Sequence, residues 1–136
     1  GAIARTAECA GVHAIVIPSK GAATVTPDAI RTSAGALNRV PVCRVRDLRE
    51  AALYLRDSGI LVVAATEKGS DHYYAADLKS PCAIVMGSEE DGISNEMIRT
   101  CDQLLRIPML GHVGSLNVSV AAGILLFEAV RQRMSN

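Results

Sequence analysis

Three stretches of this chain, residues 14–17, 60–65 and 83–86, are apolar without a break, and each is only four to six residues long. A strand with one face in water alternates polar and apolar residues. A strand that is apolar throughout is buried on both faces, which points to a parallel sheet covered by helices. Helical patterns fill the intervals. Residues 2–10 read as a helix stopped by Gly11, and Thr26-Pro27-Asp28 as a helix start. Asp47 opens an amphipathic helix in which Leu48, Ala51, Ala52 and Leu55 recur at helical spacing, and Gly59 ends it. Ser94 caps a further short helix. Residues 116–134 form a long closing helix with Leu116, Val120, Ile124, Phe127 and Val130 on its expected core stripe. Residues 40–45 and 104–107 read as shorter strands, the second ended by Pro108, and the polar residues 68–74 as a surface loop. The fold class is α/β, a parallel sheet with helices on both faces.

A chain of 136 residues is expected to make one domain around one core. The formal net charge is zero, which excludes no class of partner, since a basic patch can hide in a neutral total. Arginine far outnumbers lysine, and several arginines cluster between Arg39 and Arg56. Their planar forks suit phosphate, though the same pattern also makes a solvated helix face. Cys9, Cys43, Cys82 and Cys101 are isolated, with no paired spacing and no histidine placed beside them as a metal ligand. The expectation is small buried thiols, no metal and no disulfide framework. No run is long enough to span a membrane and no segment reads as a signal peptide, so a soluble, cytoplasmic protein is expected. The chain opens directly on a helix, whereas an α/β domain usually opens on a strand. Either the fold is unusual or an N-terminal part of the domain is absent from residues 1–136.

Three segments carry candidate chemistry: residues 1–7, residues 84–94 (Ile-Val-Met-Gly-Ser-Glu-Glu-Asp-Gly-Ile-Ser) and residues 107–119 (Ile-Pro-Met-Leu-Gly-His-Val-Gly-Ser-Leu-Asn-Val-Ser). The second follows a buried strand, and ligands of parallel sheets gather at strand carboxyl ends. Its acids repel phosphate and suit a cation, a ribose hydroxyl or an arginine. The third again places a glycine-bearing loop before a helix start, at Ser115 or Asn117, where unpaired N–H groups face a ligand. Plain turns and helix caps account for either segment alone; two such loops after consecutive strands favour a pocket. Phosphate-loop and dinucleotide-binding glycine motifs are missing.

The three segments, in this order, resemble the three motifs of the SpoU/TrmH family of RNA 2′-O-methyltransferases, part of the SPOUT superfamily. The resemblance covers essentially the whole chain and is strongest from Cys82 to Arg133. It is closest to the bacterial subgroup acting on guanosine of 23S rRNA. A tRNA ribose methyltransferase and a non-catalytic RNA-binding dimer are the alternatives. The resemblance implies a deep C-terminal trefoil knot, S-adenosyl-L-methionine (AdoMet) as cofactor, a structured RNA, most naturally rRNA, as substrate, and a homodimer using the last helix. It implies that Arg5, Glu89, Ser115 and Asn117 serve catalysis. It places Met86, Gly87, Glu89, Gly92, Ile107, Met109, Ser115 and Leu116 at the cofactor. The family asparagine two positions before the residue matching Gly1 has no counterpart in this chain, so the resemblance implies that residues 1–136 are a SpoU-type catalytic domain, N-terminally truncated.

Overall fold

The computed structural model describes residues 2–19, 39–88 and 90–135. The helix start expected at Thr26-Pro27-Asp28, and Glu89, lie outside the described residues. The chain divides into two compact units, residues 1–48 and 49–136.

In the first unit, helix α1 (Ala2–Cys9) buries Ala4 and Ala7, and Gly11 ends it at φ +75°, a backbone that glycine adopts without strain. Strands β1 (Ile15–Pro18) and β2 (Val42–Val45) pair in parallel, Ile15 opposite Val42. Cys9 and Cys43 are exposed, which corrects the expectation of buried thiols. Cys9 lies about 200° around α1 from Ala7, on the opposite face.

In the second unit, which helix α2 (Leu48–Asp57) enters from the boundary, the strands are β3 (Leu61–Ala65), β4 (Asp71–His72), β5 (Cys82–Val85) and β6 (Gln103–Arg106). The sheet order is β4-β6-β3-β5, and every pairing in it is parallel. Val62, Val63 and Ala64 of β3 have no exposed surface, so this strand is covered on both faces as its composition requires. Gly59, at φ +89°, ends α2, and Ser94 caps helix α3 (Asn95–Thr100) by accepting a hydrogen bond from the Met97 amide at 3.2 Å.

Residues 68–74 are not a plain surface loop. They include β4, continue into a 3₁₀ turn (Tyr73–Ala75), and contain the buried Gly69. Because β6 lies between β3 and β4, the link 66–70 that joins those two strands crosses over β6. The Thr66 amide donates to the Leu105 carbonyl at 2.9 Å. A Cβ on Gly69 would lie 2.9 Å from the backbone of Leu104 and Leu105, so only glycine allows so close a crossing.

Helix α4 (Val118–Met134) buries Ala122, Leu125 and Ala129, the last two in a core with Val63, Leu78 and Leu105. The expected stripe is therefore corrected: Val120 and Phe127 are about half exposed, while Leu125 is fully buried. The helix is apolar almost all round, so periodicity does not choose a face; the small Ala122 and Ala129 do, by letting the helix approach closely. Glu128 is buried beside them. Arg131 donates two hydrogen bonds to its carboxylate, at 2.8 and 2.9 Å, and Gln132 a third at 2.7 Å. These donors, Arg131 first, hold the Glu128 carboxyl below its ordinary pKa. Gln132 also ties in the segment after the 3₁₀ turn, accepting from the Leu78 amide and donating to the Ala76 carbonyl. Among the described residues, no helix is long and apolar enough to cross a membrane.

Candidate functional site

The carboxyl ends of β3, β5 and β6 meet at a cleft of about 720 Å³, within the usual span of small-molecule sites. Met86, Gly87 and Gly92 line it from the loop after β5, and Ile107, Met109, Ser115, Leu116 and Asn117 from the loop after β6. Two segments that the sequence brings together through the strand-end rule and the resemblance thus line one space. Glu89 falls outside the described residues. Arg5 lies exposed on α1, in the first unit.

The loop after β5 is held by its own backbone. Ser88 and Gly92 exchange backbone hydrogen bonds, and the Ser88 hydroxyl accepts from the Asp91 amide at 3.0 Å. Gly92 has φ +67°. At Gly87 a Cβ would stand 2.5 Å from the Gly92 carbonyl carbon, so the glycine is demanded by the chain folding back on itself. The loop after β6 is different. Leu110 and Val113 are largely exposed, and Gly111 and Gly114 have open space where a side chain would be. It ends at Asn117, the N-cap of α4, whose side chain accepts from the amide and hydroxyl of Ser119. Asn117 therefore has a capping role at the rim of the cleft.

Sequence reasoning missed the third wall. Ala65, Thr66, Glu67 and Lys68, at the end of β3, also line the cleft. The signal for them was the same carboxyl-end rule, applied to a strand whose following residues lack a glycine motif. Lys68 donates to Asn95 at 3.2 Å and is thereby turned toward α3. Glu67, Glu90 and Asp91 bring carboxylates to the cleft against that one lysine. The balance suits a cation or ribose hydroxyls and disfavours phosphate. Met86, Ile107, Met109 and Leu116 supply the apolar surface that a flat heterocycle needs. Cys82 and Cys101 are half-buried free thiols; burial pushes both above the ordinary thiol pKa, so they are poor nucleophiles near neutrality. Among the described residues, no cluster of three or more histidine, cysteine or acidic side chains could hold a metal.

Comparison with known proteins agrees with this geometry. The model of the SpoU rRNA Methylase family matches residues 1–127. A curated relative from Vibrio vulnificus, the 23S rRNA (guanosine-2′-O-)-methyltransferase RlmB, is 43% identical over 136 residues, all of this chain and 55% of its own length. The corresponding protein of Ralstonia nicotianae is 41% identical over 98% of the chain and 53% of its own length. The chain thus spans about half the length of the curated relatives it matches. Among solved structures, the SpoU methyltransferase AviRb from Streptomyces viridochromogenes in complex with AdoMet superposes with a TM-score of 0.90 at 34% identity, covering 99% of this chain and 55% of that one. An AdoMet-bound rRNA methyltransferase from Sinorhizobium meliloti gives a TM-score of 0.89 at 34% identity, over 98% and 51% of the two chains. By the extent of the family match and by these identities, the chain belongs to the SpoU rRNA Methylase family.

Proposed function

We propose that the chain is the catalytic part of an AdoMet-dependent methyltransferase that modifies a guanosine 2′-hydroxyl of 23S rRNA in the cytoplasm. The observation that carries this reading is the convergence of the loops after β5 and β6 on one acidic and apolar cleft. Its residues fit AdoMet: carboxylates for the ammonium and ribose hydroxyls, methionine and aliphatic side chains for the adenine. Met86, Gly87, Gly92, Ile107, Met109, Ser115 and Leu116 would hold it, with Glu89 as the second-motif acid.

When bound, AdoMet supplies a methyl group already activated on a sulfonium. The protein's task is then to orient the ribose 2′-oxygen, and orientation alone can lower a barrier by about 7–11 kcal/mol. That oxygen would take the methyl as the methyl–sulfur bond breaks and the cofactor leaves as a neutral thioether, and its proton would pass to solvent. Arg5 serves as a cation that holds an RNA phosphate through its planar fork and stabilises the developing alkoxide. Ser115 and Asn117 position the ribose, Asn117 while also capping α4.

Two further features belong to the same reading. The crossing of link 66–70 over β6 supports a trefoil knot in the C-terminal half. A homodimer is supported by Val120, Phe127 and Met134, which are 50%, 46% and 80% exposed at seven-residue spacing on α4. Leu125, on the same helix, is fully buried in the core and takes no part in this seam. The decisive experiment is methyl transfer by the full-length protein to a 23S rRNA transcript, with the modified position mapped and AdoMet titrated alongside. Binding of AdoMet with methylation of tRNA alone would favour the tRNA alternative. A protein that binds RNA but neither AdoMet nor methyl acceptors would be a retired scaffold.

A further inference from the structure

The arginine cluster between Arg39 and Arg56 has no part in the cleft, yet two of its members take up a defined arrangement. Arg49 and Arg56 of α2 and Arg99 of α3 line a separate depression of about 410 Å³ with Leu53, Glu96 and Thr100. It lies toward the amino end of the sheet. Asp102, which pairs with Arg56 at 3.3 Å, also accepts from the Val62 amide near the start of β3. The cleft is at the carboxyl ends, about 17 Å away along a five-residue strand.

The depression is built rather than incidental. Thr100 is buried, its hydroxyl donates to the Glu96 carbonyl at 2.9 Å, and the same hydroxyl accepts from Arg49 Nε at 3.2 Å. The Thr100 carbonyl accepts from Arg56 at 3.1 Å. Two guanidinium groups are therefore fixed at one buried threonine, which removes much of the side-chain entropy they would otherwise lose on meeting an anion. Arg99 is exposed one residue before that threonine. Arg49, Arg56 and Arg99 stand against Glu96 in the lining and against Asp102, which pairs with Arg56, so these five groups carry a net positive charge led by Arg99.

We propose that this depression is a docking site for the phosphodiester backbone of the RNA substrate, with Arg99 as its leading contact and Arg49 and Arg56 as preset supports. The inference rests on the RNA-modifying role given above. It adds a second, electropositive contact to an acidic cleft that cannot itself attract a polyanion. An extended RNA backbone fits better than a small dianion, because Glu96 in the lining would oppose a compact doubly charged group.

The test uses the full-length protein and a labelled 23S rRNA transcript, with binding measured across a KCl series. Each phosphate contact contributes about 0.7–0.9 to the slope of log affinity against log salt. Arg99→Ala should weaken binding several-fold and make the slope shallower by roughly one such contact, Arg99→Glu should weaken it further, and Glu96→Gln should tighten it. AdoMet affinity should stay unchanged in all three. If wild type binds and methylates the transcript while the Arg99 variants keep its affinity and slope, the docking site is wrong and the functional reading stands. If wild type neither binds nor methylates the transcript, the functional reading falls and takes the docking site with it. Variants that lose binding to polyglutamate while keeping RNA binding would assign the depression to an acidic protein partner and overturn the proposal.

Discussion

The two loops that face each other across the cleft are built on opposite principles. The loop after β5 closes on itself through the Ser88–Gly92 bridge and a helix cap at Ser94. The loop after β6 has, among the described residues, no backbone–backbone turn bond over residues 108–116, and it exposes Leu110, Val113 and Met109. One wall of the site is thus tied by its own backbone, and the other, among the described residues, lacks such ties and is expected to order on binding. Preorganised walls give affinity cheaply; adaptable ones admit substrate and release product.

The contrast breaks most directly at Gly87. A Cβ there meets the Gly92 carbonyl carbon at 2.5 Å, the Gly92 Cα at 2.7 Å and the Ile93 nitrogen at 2.8 Å. These are backbone atoms and cannot swing aside. Gly87→Ala should therefore open the Ser88–Gly92 hairpin, at a cost of about 3 kcal/mol and roughly a hundredfold in AdoMet affinity. Calorimetric titration checks the affinity; a near-normal value would mean that this wall is not preformed. The steric partner is the protein's own backbone.

Gly92→Ala probes the same loop more gently. Nothing lies within 4 Å of the added carbon, but φ is +67°, a conformation costing an L-residue about 1–2 kcal/mol. The loss should appear in urea unfolding as a lower midpoint with an unchanged slope. Asn117→Ala should cost about 1 kcal/mol through the lost cap, and it should also slow methyl transfer if Asn117 positions the ribose. A stability loss with unimpaired turnover would leave it a cap only.

Acid sharpens the comparison by testing whether α4, which carries the adaptable loop, is itself loosely held. The hydrogen bonds from Arg131 and Gln132 depress the Glu128 pKa in the folded chain. A depressed carboxyl contributes stability that is complete above the ordinary carboxylate range and fades as pH falls through that range toward the lowered folded value. Thermal melts from neutral pH downward should show this loss, and Glu128→Gln should flatten it. Arg131 is largely exposed, so solvent screening keeps the effect modest. No change in acid slope would mean that the clamp contributes nothing.

How much of this was legible in the sequence follows from what each feature depends on. The strands were legible to within a residue or two because burial on both faces leaves an unbroken apolar run, as at Leu61–Ala65. The motif residues of the β5 and β6 loops were legible because glycine and acid side chains at strand ends are local signals. The face of α4 was not, because near-uniform apolarity carries no phase. Strand β4 and the buried Leu78 were hidden in polar sequence: what holds them is the link crossing over Leu104–Leu105 and the Gln132 bonds from 54 residues away, contacts that exist only after the fold has formed. The exposed seam Val120–Phe127–Met134 was similarly invisible until Leu125 had been assigned to the core.

The smallest expected effect is the most informative about the adaptable loop. Gly111 has no atom within 4 Å of an added Cβ, and its φ is outside the left-handed region. An alanine there is tolerated, and its consequence depends on where entropy is lost. If the loop is already fixed in the free protein, Gly111→Ala restricts only the unfolded chain and should raise stability by about 0.4–1 kcal/mol with AdoMet affinity unchanged. If the loop orders when ligand binds, the substitution restricts the free folded protein as well. Its gain then moves from the unfolding transition into binding, where 0.4–1 kcal/mol is about a two- to fivefold tighter AdoMet dissociation constant at nearly constant melting temperature. The contrast between the two walls predicts the second result. A higher melting temperature with unchanged affinity would show that the loop after β6 is as preformed as its neighbour.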